Sequence, residues 1–417
     1  MKKNTIKVLK PNIIYLFLIA FFAFWGMSGY GSIGNYTSAV FCVLLVVFDL
    51  ISGNKNQISK HTLQGKMVVC FCVFFGYHFL MSLFNISGIV YWLGNIIVFV
   101  FMTYYCVLIQ NRVINYENDI TKKYCLKILL TIWIFLTVYS IVYYIRHPES
   151  AREAIAYQEL YDNTFLGGAY NLAFGSCILG LYIFSLLVNK RIIKHRLFYF
   201  ILVILFSIHV FLTKSALTTI FLFLGLVLIL LFSNRATKKN RGKIIAITFF
   251  VVLAFLFTKE YIGNFLMNIS DYASDNLYGR RLYELGTVLN GTSYTRHTNE
   301  RLSKIGMSFS QFLSSPIFGM GYKYGFKFSL MANAGLGTHS DIFDMLAEYG
   351  IIIFSFWISI FIFNIVNIVK NHGISTNMWV VILVFMMVFN PFVSFQTMIA
   401  LFLIIPLLND KFRENGL

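Results

Sequence analysis

Apolar positions in this chain gather into long continuous runs instead of alternating with polar ones. Twelve runs can be laid out, at roughly 12–30, 36–51, 67–84, 88–110, 126–144, 169–188, 197–212, 216–232, 244–257, 339–369, 378–390 and 396–408. Several approach the roughly 20 apolar residues that carry a helix across a bilayer. A membrane β-barrel would be written differently, as short segments of alternating hydrophobicity. The pattern therefore predicts an all-α, polytopic membrane protein with about 12 transmembrane helices. The first run is long and no A-x-A step follows it, so it is expected to be a retained span and not a cleaved signal.

One polar stretch stands apart. Residues 259–338 are polar long enough to build structure outside the bilayer, which divides the chain into helices 1–9 (1–258), a large extracytoplasmic loop carrying short helices (259–338) and helices 10–12 (339–417). Lys2, Lys3, Lys7 and Lys10 and the basic short loops at 52–66, 111–124, 189–196 and 234–243 fall on one side of this alternation. The positive-inside bias puts that side in the cytoplasm. Both termini are then expected inside the cytoplasmic (inner) membrane, with 146–168, Lys214 and the large loop on the outer face. No internal repeat of the kind found in inverted-repeat transporters is evident.

Composition sharpens this only in places. Hydrophobic residues make up 58% and charged residues 12%, which excludes an ordinary soluble domain. The net charge of +17 sits mostly in the short loops, as a topology signal, so no nucleic-acid partner is expected. The basic content of the large loop is the exception. All six cysteines (Cys42, Cys70, Cys72, Cys106, Cys125, Cys177) fall in or at the edge of apolar runs, read as small apolar residues facing lipid or core. No residue spacing suggests a metal site, and no cofactor is expected.

Candidate chemistry concentrates between Arg280 and Ile353. Arg280, Arg281, Arg296 and Arg301 lie within 22 positions. Their planar forks suit phosphate oxygens, so as a set they point to a diphosphate or acidic sugar, although any one could be ordinary surface charge. From 298 to 313 the period is helical: Leu302, Ile305, Phe309 and Phe312 form one stripe, with Arg301 and Lys304 beside it. Such a helix could lie along the membrane surface or simply pack. Pro316 ends it, and Gly319, Gly321 and Gly325 permit tight turns.

Thr338-His339-Ser340-Asp341 has the form of a capping box with Thr338 as N-cap, placing His339 in the first turn of the next helix. There it could take a proton from a sugar hydroxyl, or be purely structural. Asp341, Asp344 and Glu348 share one face of that helix, where acids need partners such as the loop arginines or Lys214. His78 and His209, inside apolar runs, read as packing or hydrogen-bonding residues.

Four short motifs carry a resemblance: Thr298-Asn-Glu-Arg301-Leu, Ser315-Pro316-Ile-Phe-Gly319-Met-Gly321, His339-Ser-Asp341 and Leu346-Ala-Glu348-Tyr-Gly350. An arginine before an amphipathic helix, a P-x-x-G-x-G step and a histidine leading into an E-x-G helix resemble the O-antigen polymerase and ligase superfamily, most closely its repeat-unit polymerases. The resemblance implies glycosyl transfer from an undecaprenyl-diphosphate-linked oligosaccharide, without a nucleotide sugar or a metal, on the outer face of the membrane. It implies that Arg301 binds the diphosphate and that His339 lies at the reacting centre. Arg280, Arg281, Arg296, Lys214 and Lys304 would bind substrate, and Asp341, Asp344 and Glu348 would support the site. Many relatives carry a Ser-Arg-Gly-like step where this chain has Thr213-Lys214-Ser215-Ala216; lysine keeps the charge and loses the fork. A chain-length regulator is an expected partner. The expected product is O-antigen or capsule; ligation onto lipid A core and a lipid-linked oligosaccharide flippase are the alternatives. A flippase would place charge in mid-span along a central cavity, and this chain places it in one long loop.

Overall fold

The structure, a computed structural model, describes residues 12–28, 31–51, 62–83, 104–115, 117–146, 169–189, 195–213, 215–233, 260–271, 296–320, 336–337, 339–370 and 377–414, with a few single positions between 258 and 290. Among these residues every regular element is helical. In chain order they are α1 (Ile13–Met27), α2 (Gly31–Ile51), α3 (Leu63–Leu83), α4 (104–115), α5 (Asp119–Arg146), α6 (Ala169–Val188), α7 (Arg196–Leu212) and α8 (Ala216–Leu231). Then follow α9 (260–271), α10 (Arg296–Ser314), α11 (Asp341–Val369), α12 (Trp379–Phe389), α13 (Phe395–Ile399) and α14 (Ile405–Glu414).

Four helices are long and apolar enough to cross a bilayer: Asp119–Arg146, Tyr170–Val188, Asp341–Val369 and Phe395–Phe412. Six shorter apolar helices, Ile13–Met27, Tyr36–Asp49, Leu63–Tyr77, Arg196–Leu212, Leu217–Leu231 and Met378–Phe389, coincide with six more of the expected spans. The runs at 88–110 and 244–257 fall largely or wholly outside the described residues, so a count of twelve is not established. The expectation of short helices within 259–338 is met by α9 and α10.

Burial sorts these helices into an inner and an outer set. The α6 helix is almost wholly enclosed and packs against α7, α8 and α13. The segment from α13 to α14 is enclosed as well. Peripheral helices turn large apolar side chains outward, including Phe17 and Phe21 of α1, Val43 and Val47 of α2, and Ile201, Ile204 and Ile208 of α7. So extensive an apolar exterior is untenable in water and natural in lipid. This is a membrane protein.

A break in the inner set shows how polar groups are settled. Pro406 has no N–H to offer the turn before it. The backbone answers with a π-helical stretch, Ala400–Ile404, in which the Ile405 N–H reaches Ala400 O. In that pattern the Leu401 carbonyl would be claimed by residue 406, and Asn364 of α11 donates to it instead (Nδ2 to O, 2.9 Å).

At the end of the bundle where α1 begins, Arg112 is fully buried. The sequence places Arg112 in a basic loop, but the chain there is the helix α4. Its guanidinium pairs with Asp49 of α2 and, at 3.0 Å, with Glu117, and lies 4.1 Å from the centre of the Tyr15 ring. A charge so enclosed is tolerable only with such partners. Lys122 reaches Asp410 of α14 at 3.7 Å near the same end. At the opposite end Gln396 donates to Met27 O, tying the close of α1 to the start of α13. This second end also holds the start of α11 and the candidate site.

Candidate active site

The amphipathic pattern at 298–313 does form a helix, α10, two residues longer at its start than the period alone indicates. It stops at Ser314, before Pro316, as the loss of a backbone donor requires. Its contact with α11 is made less by the apolar stripe than by a serine. Ser308 is fully buried; its hydroxyl donates to Asp344 Oδ1 and accepts the Gly337 N–H at 2.8 Å. Phe309 adds an edge-on contact with Phe343, ring centres 5.8 Å apart. Ile305 and Phe312 are half-buried, Phe309 and Leu313 leave an exposed apolar edge, and Met307 is exposed on another side of the helix.

Gly337 makes this approach possible. A Cβ there would overlap the carbonyl of Lys304, so the strand of chain before α11 runs directly against the backbone of α10. Lys304 is three residues beyond Arg301, a little under one turn and about 4.5 Å along the axis. His339 is two residues beyond Gly337, at most about 7 Å of chain. Arg301 and His339 are thereby carried on neighbouring segments of backbone, each a few residues from the point of closest approach at Lys304 and Gly337.

The start of α11 differs from the expected capping box. Ser340, not Thr338, is the N-cap: it is extended (φ −149°, ψ 115°) and its hydroxyl accepts the Phe343 N–H at 3.2 Å. Asp344 reaches back to the Ser340 N–H at 3.0 Å. His339 therefore precedes the helix and does not lie in its first turn, and Thr338 is outside the described residues. The physical reason is that Asp344 must also hold Ser308, which fixes the helix start two residues later.

This start is also no anion cradle. Its N–H groups at Asp341, Phe343 and Asp344 go to Asn390 O, Ser340 Oγ and Ser340 O. Two carboxylates already occupy the positive end of the helix dipole. Asp341 spends its own Oδ2 on the N–H groups of Phe392 (2.7 Å) and Val393 (2.8 Å), fastening the turn between α12 and α13 behind Ser340.

The P-x-x-G and E-x-G motifs turn out to be two halves of one joint. At Gly350 α11 kinks, with φ 64° and ψ 176°, a backbone conformation open essentially to glycine alone. In a regular helix the Ile351 N–H would bond to Ala347 O. Here Ile351 N–H goes to Pro316 O (2.8 Å) and Ala347 O accepts Met320 N–H (2.9 Å). One helical bond is exchanged for two bonds to the turn after α10. Gly319, at φ 69°, has no room for a Cβ against the Glu348 carbonyl, and Gly350 has none against Ile317. Tyr77 of α3 donates to Phe318 O at 3.3 Å and its ring meets Tyr349, holding the joint from the other side. The described glycines of this step are thus structural; Gly321 and Gly325 lie outside the described residues.

Of the other candidates, Arg296 and Arg301 lie on α10, and Lys304, half-buried, lies beside Gly337. Arg280, Arg281 and Lys214 are outside the described residues. Asp341 and Asp344 are structural fasteners of the site, and Glu348 is buried at the joint. His209 bears out its reading as a hydrogen-bonding residue: buried, it pairs with Ser176 (3.2 Å), which also accepts from the Trp133 indole (3.0 Å). The backbone of His78 is helical. Five cysteines are buried and all six are free thiols. Sequence reasoning missed Ser308, Gly337 and the pairing of Gly319 with Gly350. The serine had a signal, being the polar residue that breaks the apolar side of α10.

A comparison with curated proteins finds no match. A comparison with family models does: residues 200–358, from α7 through the kink in α11, match the family described as O-antigen ligase (Wzy_C). The matched region contains the joint, α10 and His339, and it supports placing this membrane protein in the O-antigen polymerase and ligase superfamily.

Proposed function

We propose that the protein is a membrane glycosyltransferase that polymerises a surface polysaccharide. Its donor is a glycan on undecaprenyl diphosphate and its acceptor is a sugar hydroxyl of the next lipid-linked repeat unit. The observation that carries this reading is the fastening of the arginine-bearing α10 onto the strand that holds His339, through Ser308, Gly337 and Asp344. In the reaction the acceptor oxygen bonds to the anomeric carbon and the bond from that carbon to the diphosphate breaks. His339 takes the proton of the attacking hydroxyl. Arg301, with Arg296 and the loop arginines Arg280 and Arg281, stabilises the charge that gathers on the departing diphosphate. The same substrate-binding role is proposed for Lys304, beside Gly337, and for Lys214. Asp341, Asp344 and Glu348 hold the frame.

The exposed apolar edge of α10, with Lys304 and Arg301 near it, suits a helix at headgroup depth on the outer face of the cytoplasmic membrane. A polyprenyl donor would be met there. Transfer onto lipid A core is the second reading, because the matching family is described by ligation. Purified protein in liposomes, given lipid-linked repeat units alone, separates the two. A ladder of products on a gel is expected; product formed only after lipid A core is added would make it a ligase, and none in either case would refute glycosyl transfer.

A further inference from the structure

We infer that the end of α10 and the turn after it are seated in the lipid leaflet on the site's side, through a patch made by Leu313, Ile317 and Phe318. The level of the bilayer can be read from α11. Residues 341–350 are all buried or half-buried, and the exposed face of α11 begins at Ile351, immediately past the kink. It continues through Ile352, Ser355, Ile362 and Val366. The serines along it spend their hydroxyls on the helix itself: Ser355 donates to Ile351 O and Ser359 to Ser355 O, each at 2.6 Å. A hydroxyl is settled in that way where no water reaches it. The whole of α11 is about 43 Å long, too long for a hydrocarbon core of about 30 Å, whereas Ile351 to Val369 runs about 28 Å. The hydrocarbon therefore starts at the kink, and Lys370 follows at its far side.

The turn after α10 is fixed at that same level. Pro316 O accepts the Ile351 N–H, and Ile317 lies against Gly350. Ile317 and Phe318 nonetheless stand 52% and 67% exposed, and Leu313, four residues before Ile317, 60%. Large apolar side chains so bare are untenable in water. Ser314 and Ser315, between them, turn their hydroxyls onto Gln311 O and Gly319 O, both at 2.7 Å, as the α11 serines do. From Ile305 to Tyr322 the chain carries no charge. The patch therefore offers a partner chain no charge to pair, and it continues the outward face of α11. Its occupant is the acyl region just beneath the headgroups, so part of the polar loop returns to the bilayer. The fastening of Ser308 to Asp344, six residues before the kink, then lies at most about 9 Å beyond the hydrocarbon.

The test places a fluorescent amino acid singly at Leu313, Ile317 or Phe318. Ile352 serves as the lipid-facing reference at the same level, and Met307 as an exposed residue on another side of α10. Each full-length protein is reconstituted in phosphatidylcholine nanodiscs with or without a nitroxide high on the acyl chain. Quenching at the three patch positions is expected to fall within about twofold of that at Ile352. Quenching closer to that at Met307 would overturn the inference, whether water or another protein covers the patch. Reading three positions keeps the result independent of any one label that disturbs the turn. Charge gives a second reading, since an acid is costly in hydrocarbon. Phe318→Asp should lower the thermal midpoint in nanodiscs and Met307→Asp should leave it unchanged; equal shifts would contradict the seating. No activity is measured, so the outcome is readable even if the proposed glycosyl transfer fails.

Discussion

Gly337 decides how closely α10 can approach the strand before α11. A methyl group there meets the Lys304 carbonyl, which is backbone and cannot swing aside. Gly337→Ala should therefore push α10 away, lengthen the Ser308 bonds and reduce polymer formation at least tenfold while the bundle still inserts. Gly306, also on α10, faces open space. Gly306→Ala should leave polymer intact and stabilise by about 0.5–1 kcal/mol, the usual gain of alanine within a helix. Ladder density and thermal midpoints of the two variants, measured together, check the contrast. Neither role can be read from the chain alone, because a glycine's need depends on what lies opposite. The same holds for the cap: Thr338 and Ser340 both offer a hydroxyl with an acid three or four residues on. What selects Ser340 is Asp344's second duty to Ser308, a contact 36 residues away in sequence.

Helices and turns were more legible. The repeat of Leu302, Ile305, Phe309 and Phe312 locates α10, and Pro316 marks its end. The joint between the turn and α11 was not legible, since Gly350 sits inside an apolar run that reads as unbroken helix. Its meaning is in the exchange of bonds among Pro316, Met320, Ala347 and Ile351. Alanine at Gly350 should cost about 1–3 kcal/mol from its backbone conformation alone. Alanine at Gly319 should cost a similar amount. Because both glycines serve one joint, Gly319→Ala/Gly350→Ala should be scarcely less stable than either single variant. Thermal denaturation of the four proteins in detergent measures this coupling; additive losses would mean that the two glycines act separately.

For the whole molecule, ten of the expected apolar runs coincide with apolar helices, because continuous hydrophobicity at near-bilayer length is a strong signal. Which helices are central could not be read: lipid and protein interior are equally apolar, so α6 and α7 look alike in sequence although only α6 is enclosed. Arg112 was misplaced for a related reason. A basic residue between two apolar runs looks like a loop charge until Asp49, more than 60 positions earlier, is found beside it. The motif region escaped this ambiguity because its polar residues have few places to go in such a chain. The central claim is that α10 and the start of α11 form one site through Arg301 and His339. It is tested most directly by expressing Arg301→Ala and His339→Ala in cells lacking the wild-type protein, and measuring both surface polymer and membrane-inserted protein. The account predicts full insertion with polymer abolished in each; normal polymer in both variants would contradict it.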